Sequence, residues 1–67
     1  MPRIRLNGEE QTVAEAASLA DLLQSLKVPP QNLVVEYNGT VLAAGQYATT
    51  KLADGDVIEL VRFVGGG

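Results

Sequence analysis

The C-terminal part of the chain reads LADGDVIELVRFVGGG over residues 52–67. Its Asp-Gly-Asp run, residues 54–56, is typical of a turn, because Asp side chains accept hydrogen bonds from the nearby backbone. The residues from Val57 to Val64 are mostly apolar, and we expect them to form a long strand at the centre of a sheet. The glycines at residues 65–67 follow directly, and we expect them to form a flexible tail.

Two segments upstream of this strand carry the pattern of β-hairpins. Residues 3–7 alternate between polar and apolar side chains, which is typical of a strand with one buried face. Asn7-Gly8 then favours a tight turn, because a type I′ turn needs positive φ angles at both central residues; a longer loop over residues 7–10 is the alternative. Residues 11–13 are expected to return as the second strand. The same order of strand, turn and strand is repeated by Leu33–Tyr37, Asn38-Gly39 and Thr40–Leu42.

Between the two hairpins the apolar residues change to the period of a helix. One face of this helix carries Leu19, Leu22, Leu23 and Leu26, and we expect these leucines to pack in the core. Ser18 followed by Asp21 is a capping-box pattern, which places the helix start at Ser18. Lys27 is expected at the end of the helix, where a cation complements the helix dipole. Pro29-Pro30 is expected to end the helix.

These elements predict an α+β fold in the order β-β-α-β-β. The sheet is mixed, has four to five strands and packs on one helix, because an amphipathic helix must bury its apolar face. An extra short strand is a further option near residues 51–52. The 67 residues suffice for one domain, which we place at residues 1–64 with the tail at residues 65–67.

The composition excludes several classes of protein. The chain has no Cys and no His, the residues most used for nucleophilic catalysis, general-base chemistry and zinc binding. We therefore expect no catalytic residue, no metal site and no bound cofactor. Asp54 and Asp56 flank Gly55, but the further oxygen ligands of a calcium loop are missing. A structural turn is therefore favoured over a metal site.

The charge and hydropathy of the chain limit its partners. Five basic residues against eight acidic ones give a net charge of −3, and no basic cluster exceeds Arg3-x-Arg5. Nucleic-acid binding relies on a basic patch, so we expect none. No apolar run approaches the roughly 18 residues that span a bilayer, and no signal-peptide pattern is present. We expect a cytoplasmic protein that binds no membrane and suits a partner with a basic groove.

The glycine tail is the feature best suited to chemistry. Residues without Cβ fit channels too narrow for other residues, and three extended residues reach roughly 10 Å beyond the domain. The carboxylate of Gly67 would be an unhindered acyl group. Such a group suits attack on the α-phosphate of ATP, and the resulting acyl adenylate suits attack by a nucleophile. The alternative is a frayed chain end without function.

A set of motifs runs through nearly the whole chain and is weakest over residues 43–51. The motifs are Ile4-x-Leu6-Asn7-Gly8-Glu9, Thr12-Val13, Leu19-x-x-Leu22-Leu23-x-x-Leu26, Val34-Val35-Glu36-x-Asn38-Gly39 and Leu52-x-Asp54-Gly55-Asp56-x-Ile58-Glu59-Leu60-Val61-x-Phe63-Val64-Gly65-Gly66-Gly67. Together they resemble the ubiquitin-like β-grasp sulfur carriers of the ThiS/MoaD family, and within it the ThiS branch most. The ordered set with its glycine ending is more specific than any single motif.

The resemblance implies a ubiquitin-like β-grasp fold and a carrier that is a co-substrate of partner enzymes rather than an enzyme. It implies that a ThiF-like adenylyltransferase consumes ATP to adenylate Gly67, with Gly65 and Gly66 in its active-site channel. A cysteine desulfurase persulfide then supplies sulfur, which gives a Gly67 thiocarboxylate. This thiocarboxylate donates its sulfur to the thiazole synthase ThiG, which makes the thiazole moiety of thiamine.

Alternation along the last strand indicates a partner interface beside the tail. If Ile58 and Leu60 face the helix, then Glu59, Val61 and Phe63 point to the other side of the sheet. Exposed apolar patches mark interfaces, and aromatic residues anchor them more often than most. The alternative is a bulge that turns Phe63 into the core.

Three other functions fit the same residues. A MoaD-like carrier for molybdopterin synthesis would use the same terminal chemistry with a different sulfur acceptor. A carrier for tRNA thiolation would do so as well. From another class comes a non-covalent β-grasp binding module with an incidental tail, which would tolerate loss of the terminal glycines.

Overall fold

The computed structural model describes residues 1–29 and 31–63. Five strands, one α-helix and one short 3₁₀ helix follow one another in these residues. They are β1 (Arg3–Leu6), β2 (Glu9–Thr12), α1 (Leu19–Ser25), β3 (Leu33–Tyr37), β4 (Thr40–Leu42), the 3₁₀ helix (Ala44–Gln46) and β5 (Val57–Arg62). The predicted mixed sheet on one helix is confirmed at five strands, with three strands rather than two after α1. The predicted boundary between residues 64 and 65 lies outside the described residues.

The strands lie in the order β2-β1-β5-β3-β4. β5 pairs in parallel with β1 and antiparallel with β3, so the strand predicted to be central does lie at the centre. Among the described residues it ends at Arg62, whereas the prediction continued to Val64. The extra strand expected near residues 51–52 is a single bridge between Ser18 and Lys51.

The first hairpin closes with a two-residue turn. Asn7 has φ 49° and Gly8 has φ 84°, the positive pair that a type I′ turn requires. Leu6 is therefore paired with Glu9, and β2 begins two residues earlier than the strand predicted at residues 11–13. Asn38 and Gly39 repeat the positive pair at 50° and 85°, so both predicted hairpins are confirmed.

One face of the sheet packs against α1 and the loop that leads to β5. The buried cluster contains Ile4, Leu6, Val13, Leu19, Leu22, Leu23, Val35, Tyr47, Leu52 and Ile58. Since β1, β3 and β5 all contribute alternate residues to this cluster, the intervening residues of these strands lie on the opposite side of the sheet. Among the described residues no helix is long and apolar enough to cross a membrane.

The start of α1 agrees with the sequence, but its end does not. Ser18 Oγ accepts a hydrogen bond from Asp21 N at 3.1 Å, and Asp21 Oδ2 accepts one from Ser18 N at 2.9 Å, which completes the predicted capping box. The helix ends at Ser25 and Leu26 is its C-cap, 36% exposed. The predictions of Leu26 in the core and of a stop at the prolines are therefore wrong. Lys27, expected at the helix end, is the residue after the C-cap.

A Schellman motif ends the helix before the prolines are reached. Lys27 has φ 57°, its N–H donates to Gln24 O at 3.0 Å, and Val28 N donates to Leu23 O at 3.1 Å. These two bonds satisfy carbonyls that the helix end would otherwise leave unpaired. The position needs a left-handed backbone, which glycine adopts without the strain that a Cβ causes.

We expect Lys27→Gly to stabilise the domain by about 1 kcal/mol, because it removes the strain of a left-handed non-glycine residue. The free energy of unfolding in urea measures the gain. Lys27→Ala is the matched control, since it removes the same side chain and keeps the Cβ. A gain of the same size in Lys27→Ala would show that side-chain loss, and not relief of backbone strain, is responsible.

Candidate functional site

On the side of the sheet away from α1, strands β3, β4 and β5 present mostly apolar residues that are exposed or half-buried. We call this side the open face; on β3, β4 and β5 its members are Val34, Glu36, Val41, Val57, Glu59 and Val61. The register places Val34 opposite Val61, Glu36 opposite Glu59 and Val41 opposite Glu36. Three adjacent strands therefore contribute to one continuous surface.

The predicted alternation along β5 is confirmed. Ile58 is fully buried and Leu60 is partly buried, whereas Val61 and Phe63 are each 50% exposed. Phe63 follows the last residue of β5, and its N–H donates to Asn32 O at 3.0 Å, so the pairing continues past the strand end. The alternative that a bulge turns Phe63 into the core is wrong. The role of these residues as a partner interface stays a prediction.

The open face presents more apolar surface than the sequence indicated. Val41 is 61% exposed and Val57 is 43% exposed, in addition to the two residues expected on β5. Contiguous exposed apolar side chains are uncommon on isolated domains and often mark binding surfaces. The face is therefore the best candidate for a protein interface among the described residues.

The arginines of β1 lie on the same side of the sheet and are already engaged. Arg3 Nη1 donates to Glu10 Oε2 at 2.6 Å, and Arg5 Nη1 donates to Gly8 O at 3.0 Å. The hydrogen bond and charge of Glu10 raise the pKa of Arg3, and those of Arg3 lower the pKa of Glu10. Both side chains are exposed, so solvent screens much of this attraction.

Asp56 holds the turn before β5 through three hydrogen bonds. Its Oδ2 accepts from Tyr37 Oη at 2.7 Å and from Ala53 N at 2.8 Å, and its Oδ1 accepts from Asn38 Nδ2 at 3.1 Å. Asn38 Oδ1 in turn accepts from Val57 N at 2.8 Å. This network joins the β3–β4 hairpin to the start of β5.

The protonation of the Tyr37 and Asp56 pair follows from this network. Burial alone raises the pKa of Asp56, but the bonds from Tyr37, Ala53 and Asn38 together outweigh it, so the net pKa is lowered. The hydrogen bond to Asp56, with burial and the negative charge, raises the pKa of Tyr37 to about 12. Asp56 is therefore a structural acceptor, which agrees with the turn predicted for residues 54–56.

Asp54 has a similar structural role at the edge of a surface groove. Its Oδ1 accepts from Arg3 N at 2.8 Å, which fixes the turn to β1. The groove, about 440 Å³ in volume, runs between β1 and this turn. In its wall the Arg3 guanidinium is bonded to Glu10, and the Asp54 carboxylate accepts from the backbone N–H of Arg3. In the described part of the chain no group of three or more Asp and Glu could hold a metal ion.

The predicted site of covalent modification, Gly67, lies outside the described residues, as do Gly65 and Gly66. Phe63 is the last residue described, and it stands on the open face. The segment that carries the predicted chemistry is thus joined to the end of the strand that supplies much of the candidate interface.

Sequence reasoning missed the members of the open face on β3 and β4. Alternation within the segment 33–37 was sufficient to separate Val34 and Glu36 from buried Val35. Which strand lies beside which, and in what register, depends on the tertiary fold, so the proximity of Glu36 to Glu59 had no local signal.

Comparison with known proteins gives one consistent family. A sequence model described as the ThiS family matches residues 4–67. A protein named sulfur carrier protein ThiS, from Bacillus subtilis, is 35% identical over 65 residues, which are 96% of this chain and 98% of that protein. The crystal structure of the thiamine biosynthesis protein ThiS from Geobacter metallireducens superposes with a TM-score of 0.82 at 38% identity, over 97% of this chain and 99% of that one.

A second kind of relative is much longer. A thiazole synthase of Magnetococcus marinus is 38% identical over 65 residues, which are 97% of this chain. The chain spans only 20% of the length of that protein. Its ThiS-like segment is therefore one part of a larger polypeptide.

Proposed function

The chain belongs to the ThiS family, and on that premise we propose that it is a cytoplasmic sulfur carrier protein of thiamine biosynthesis. It carries sulfur as a thiocarboxylate on Gly67 and donates it to a thiazole synthase of the ThiG type. The observation that supports this most is the match of the family over residues 4–67, which includes the three terminal glycines.

The proposed chemistry begins with the carboxylate of Gly67. In a ThiF-like adenylyltransferase this carboxylate attacks the α-phosphate of ATP, which forms an acyl adenylate and releases pyrophosphate. The terminal sulfur of a cysteine desulfurase persulfide then attacks the acyl carbon and displaces AMP. A thiol finally cleaves the sulfur–sulfur bond by reduction, which leaves the thiocarboxylate and a disulfide.

The chain presents its C-terminal carboxylate to partner enzymes and supplies no catalytic side chain of its own. It has no Cys or His, so it offers neither thiolate nor imidazole to the reaction. ATP is consumed by the partner enzyme, and the carrier needs no bound cofactor. Glycine suits the acyl position because an adjacent side chain would hinder the approach of the nucleophile, and glycines suit a narrow channel because they have no Cβ.

A thiazole synthase is the sulfur acceptor that the relatives favour. A protein of that name contains a segment 38% identical to 97% of this chain. Two functions joined in one polypeptide in one organism are expected to meet when they occur on separate chains. This observation favours thiazole synthesis over molybdopterin synthesis or tRNA thiolation as the pathway served.

Intact-mass measurement tests the proposed function. The chain is incubated with a ThiF-like enzyme, ATP, a cysteine desulfurase, cysteine and a reducing thiol, and is then weighed by mass spectrometry. We expect a gain equal to the exchange of one oxygen for one sulfur. A mass that stays unchanged with every ThiF- or MoeB-like enzyme would contradict the proposal, and sulfur transfer to a molybdopterin synthase but not to ThiG would redirect it to the MoaD-like alternative.

We expect Phe63→Ala to weaken binding to the ThiF-like enzyme by about thirtyfold, the effect of losing one aromatic anchor worth roughly 2 kcal/mol. Phe63 is half exposed, so the thermal midpoint of the domain should change little. Calorimetric titration measures the dissociation constant, and Phe63→Leu, which keeps most of the apolar surface, should lose much less. Unchanged affinity in Phe63→Ala, or loss of folding, would remove Phe63 from the interface.

A further inference from the structure

The glutamates of the open face form a like-charged pair, which we call the glutamate pair. Glu36 on β3 and Glu59 on β5 are direct cross-strand partners and lie on the same side of the sheet. Side chains in such positions have Cβ atoms about 4.5–5.5 Å apart, and like charges there destabilise the sheet. The fold therefore keeps an unfavourable charge arrangement at this position.

Nothing in the described part of the chain neutralises the glutamate pair. The ion pairs within residues 1–29 and 31–63 join Met1 to Glu15 and Arg3 to Glu10. Arg5, which lies on the same side of the sheet, donates to a backbone carbonyl. Both carboxylates are therefore left to solvent.

The apolar surroundings decide what a docked partner must supply. Val34 and Val61 form the next cross-strand pair, and Val41 lies on the other side of Glu36. A protein that covers these valines also removes water from the glutamate pair. Two carboxylates without water or a counter-charge are costly, at several kcal/mol for each ion, so such a partner must bring a cation.

On the basis of the proposed function, we propose that the glutamate pair receives a basic side chain of the adenylating enzyme. Arginine fits best, because its planar guanidinium donates to two carboxylates at once. The apolar rim of Val34, Val41 and Val61 packs around this contact and excludes water. The pair thereby orients the domain on the enzyme whose channel takes the glycine tail.

The same charges disfavour a second copy of this chain as the occupant of the open face. A symmetric dimer through this face would bring two glutamate pairs, four carboxylates, into one dry interface. The net charge of −3 on each copy adds a repulsion between them. A partner with a basic surface satisfies the face, and a second copy does not.

Glu59→Gln tests the proposal against a matched control. Glu9 is paired with buried Leu6, so it lies on the α1 side of the sheet, and Glu9→Gln makes the same change of charge away from the open face. We expect Glu59→Gln to weaken binding to the ThiF-like enzyme about tenfold and Glu36→Gln/Glu59→Gln about a hundredfold, as for charge contacts at other interfaces. Glu9→Gln should bind like the original chain.

Two further measurements distinguish this contact from a general effect of charge or folding. Glu59→Gln should raise the thermal midpoint, because it relieves repulsion in the free domain, while it weakens binding. High salt should weaken binding of the original chain more than that of Glu36→Gln/Glu59→Gln. Equal affinity of the original chain, Glu59→Gln and the double variant would overturn the proposal, as would an equal loss in Glu9→Gln.

Adenylation of the original chain, measured in the same samples as pyrophosphate release, distinguishes the two proposals. Normal adenylation with unchanged binding of the glutamate variants overturns the role of the pair and leaves the carrier function intact. Binding that depends on the pair without any adenylation overturns the carrier function and leaves the basic contact intact. An original chain that does not bind the enzyme overturns both.

Discussion

Removal of Gly66 and Gly67 is expected to abolish formation of the thiocarboxylate and to leave the fold unchanged. Two extended residues span about 7 Å, so the shortened chain cannot bring a carboxylate to the α-phosphate of ATP while the open face stays docked. Reacting atoms must approach within about 3–3.5 Å, and a misplacement of about 1 Å can already cost a hundredfold in rate. We therefore expect no detectable mass gain and no pyrophosphate release.

The fold should survive this deletion because every described strand pair and the whole buried cluster lie within residues 3–62. The thermal midpoint of the deletion should match that of the full chain. Gly67→Ala is the companion variant: it keeps the length and the carboxylate, and adds one methyl group. Because the added methyl group hinders the reacting carboxylate, Gly67→Ala should be adenylated more slowly than the full chain. The truncated chain should not be adenylated at all. Full activity of the truncated chain would identify a non-covalent binding module instead.

The parts of the fold that the sequence predicted are those set by neighbours along the chain. Each Asn-Gly pair required positive φ angles, and this alone located both hairpin turns. Ser18 and Asp21 located the start of α1, because both hydrogen bonds of a capping box are made within three residues. The length and apolar character of the segment from Val57 placed β5 at the centre of the sheet. All of these signals are local.

The features that the sequence did not predict depend on contacts between distant residues or on compensation among them. Lys27 ends α1 with a left-handed backbone, which a residue with a Cβ adopts only because the Schellman bonds and the packing of Val28 offset the strain. Tyr37 and Asp56 are 19 residues apart, and only the antiparallel pairing of β3 and β5 brings them together.

The candidate site likewise has features that local sequence predicted and features that depend on the tertiary fold. Alternation along β5 was sufficient to predict that Val61 and Phe63 are exposed. The extent of the open face and the opposition of Glu36 and Glu59 required the register between β3 and β5, which no local pattern states. The glycine ending is conspicuous in the sequence, and its chemistry remains a proposal that rests on family membership and on what a terminal carboxylate can do.

Asp56→Ala is expected to destabilise the domain by about 3 kcal/mol, because it leaves the donors of Tyr37, Asn38 and Ala53 without their acceptor. A domain of this size is commonly stable by only about 3–5 kcal/mol, so the variant should be largely unfolded near body temperature. Urea unfolding followed by circular dichroism measures the change. Asp56→Asn keeps the shape of the side chain and one acceptor oxygen. We therefore expect it to lose about half as much free energy of unfolding as Asp56→Ala.

The stability difference between the original chain and Asp56→Ala should depend on pH, and this dependence identifies the ionised carboxylate as its source. The pKa of Asp56 is lowered on folding, so its contribution is complete above its ordinary pKa near 4 and is lost as the pH falls through the lower folded value. The pKa of Tyr37 is raised to about 12, so the contribution of its protonated hydroxyl is complete below about pH 10 and is lost as the pH rises towards 12. The stability gap between the original chain and Asp56→Ala should therefore be widest from about pH 4 to pH 10 and narrower on both sides. A gap that keeps the same width below pH 4 and above pH 10 would mean that Asp56 acts through its shape alone.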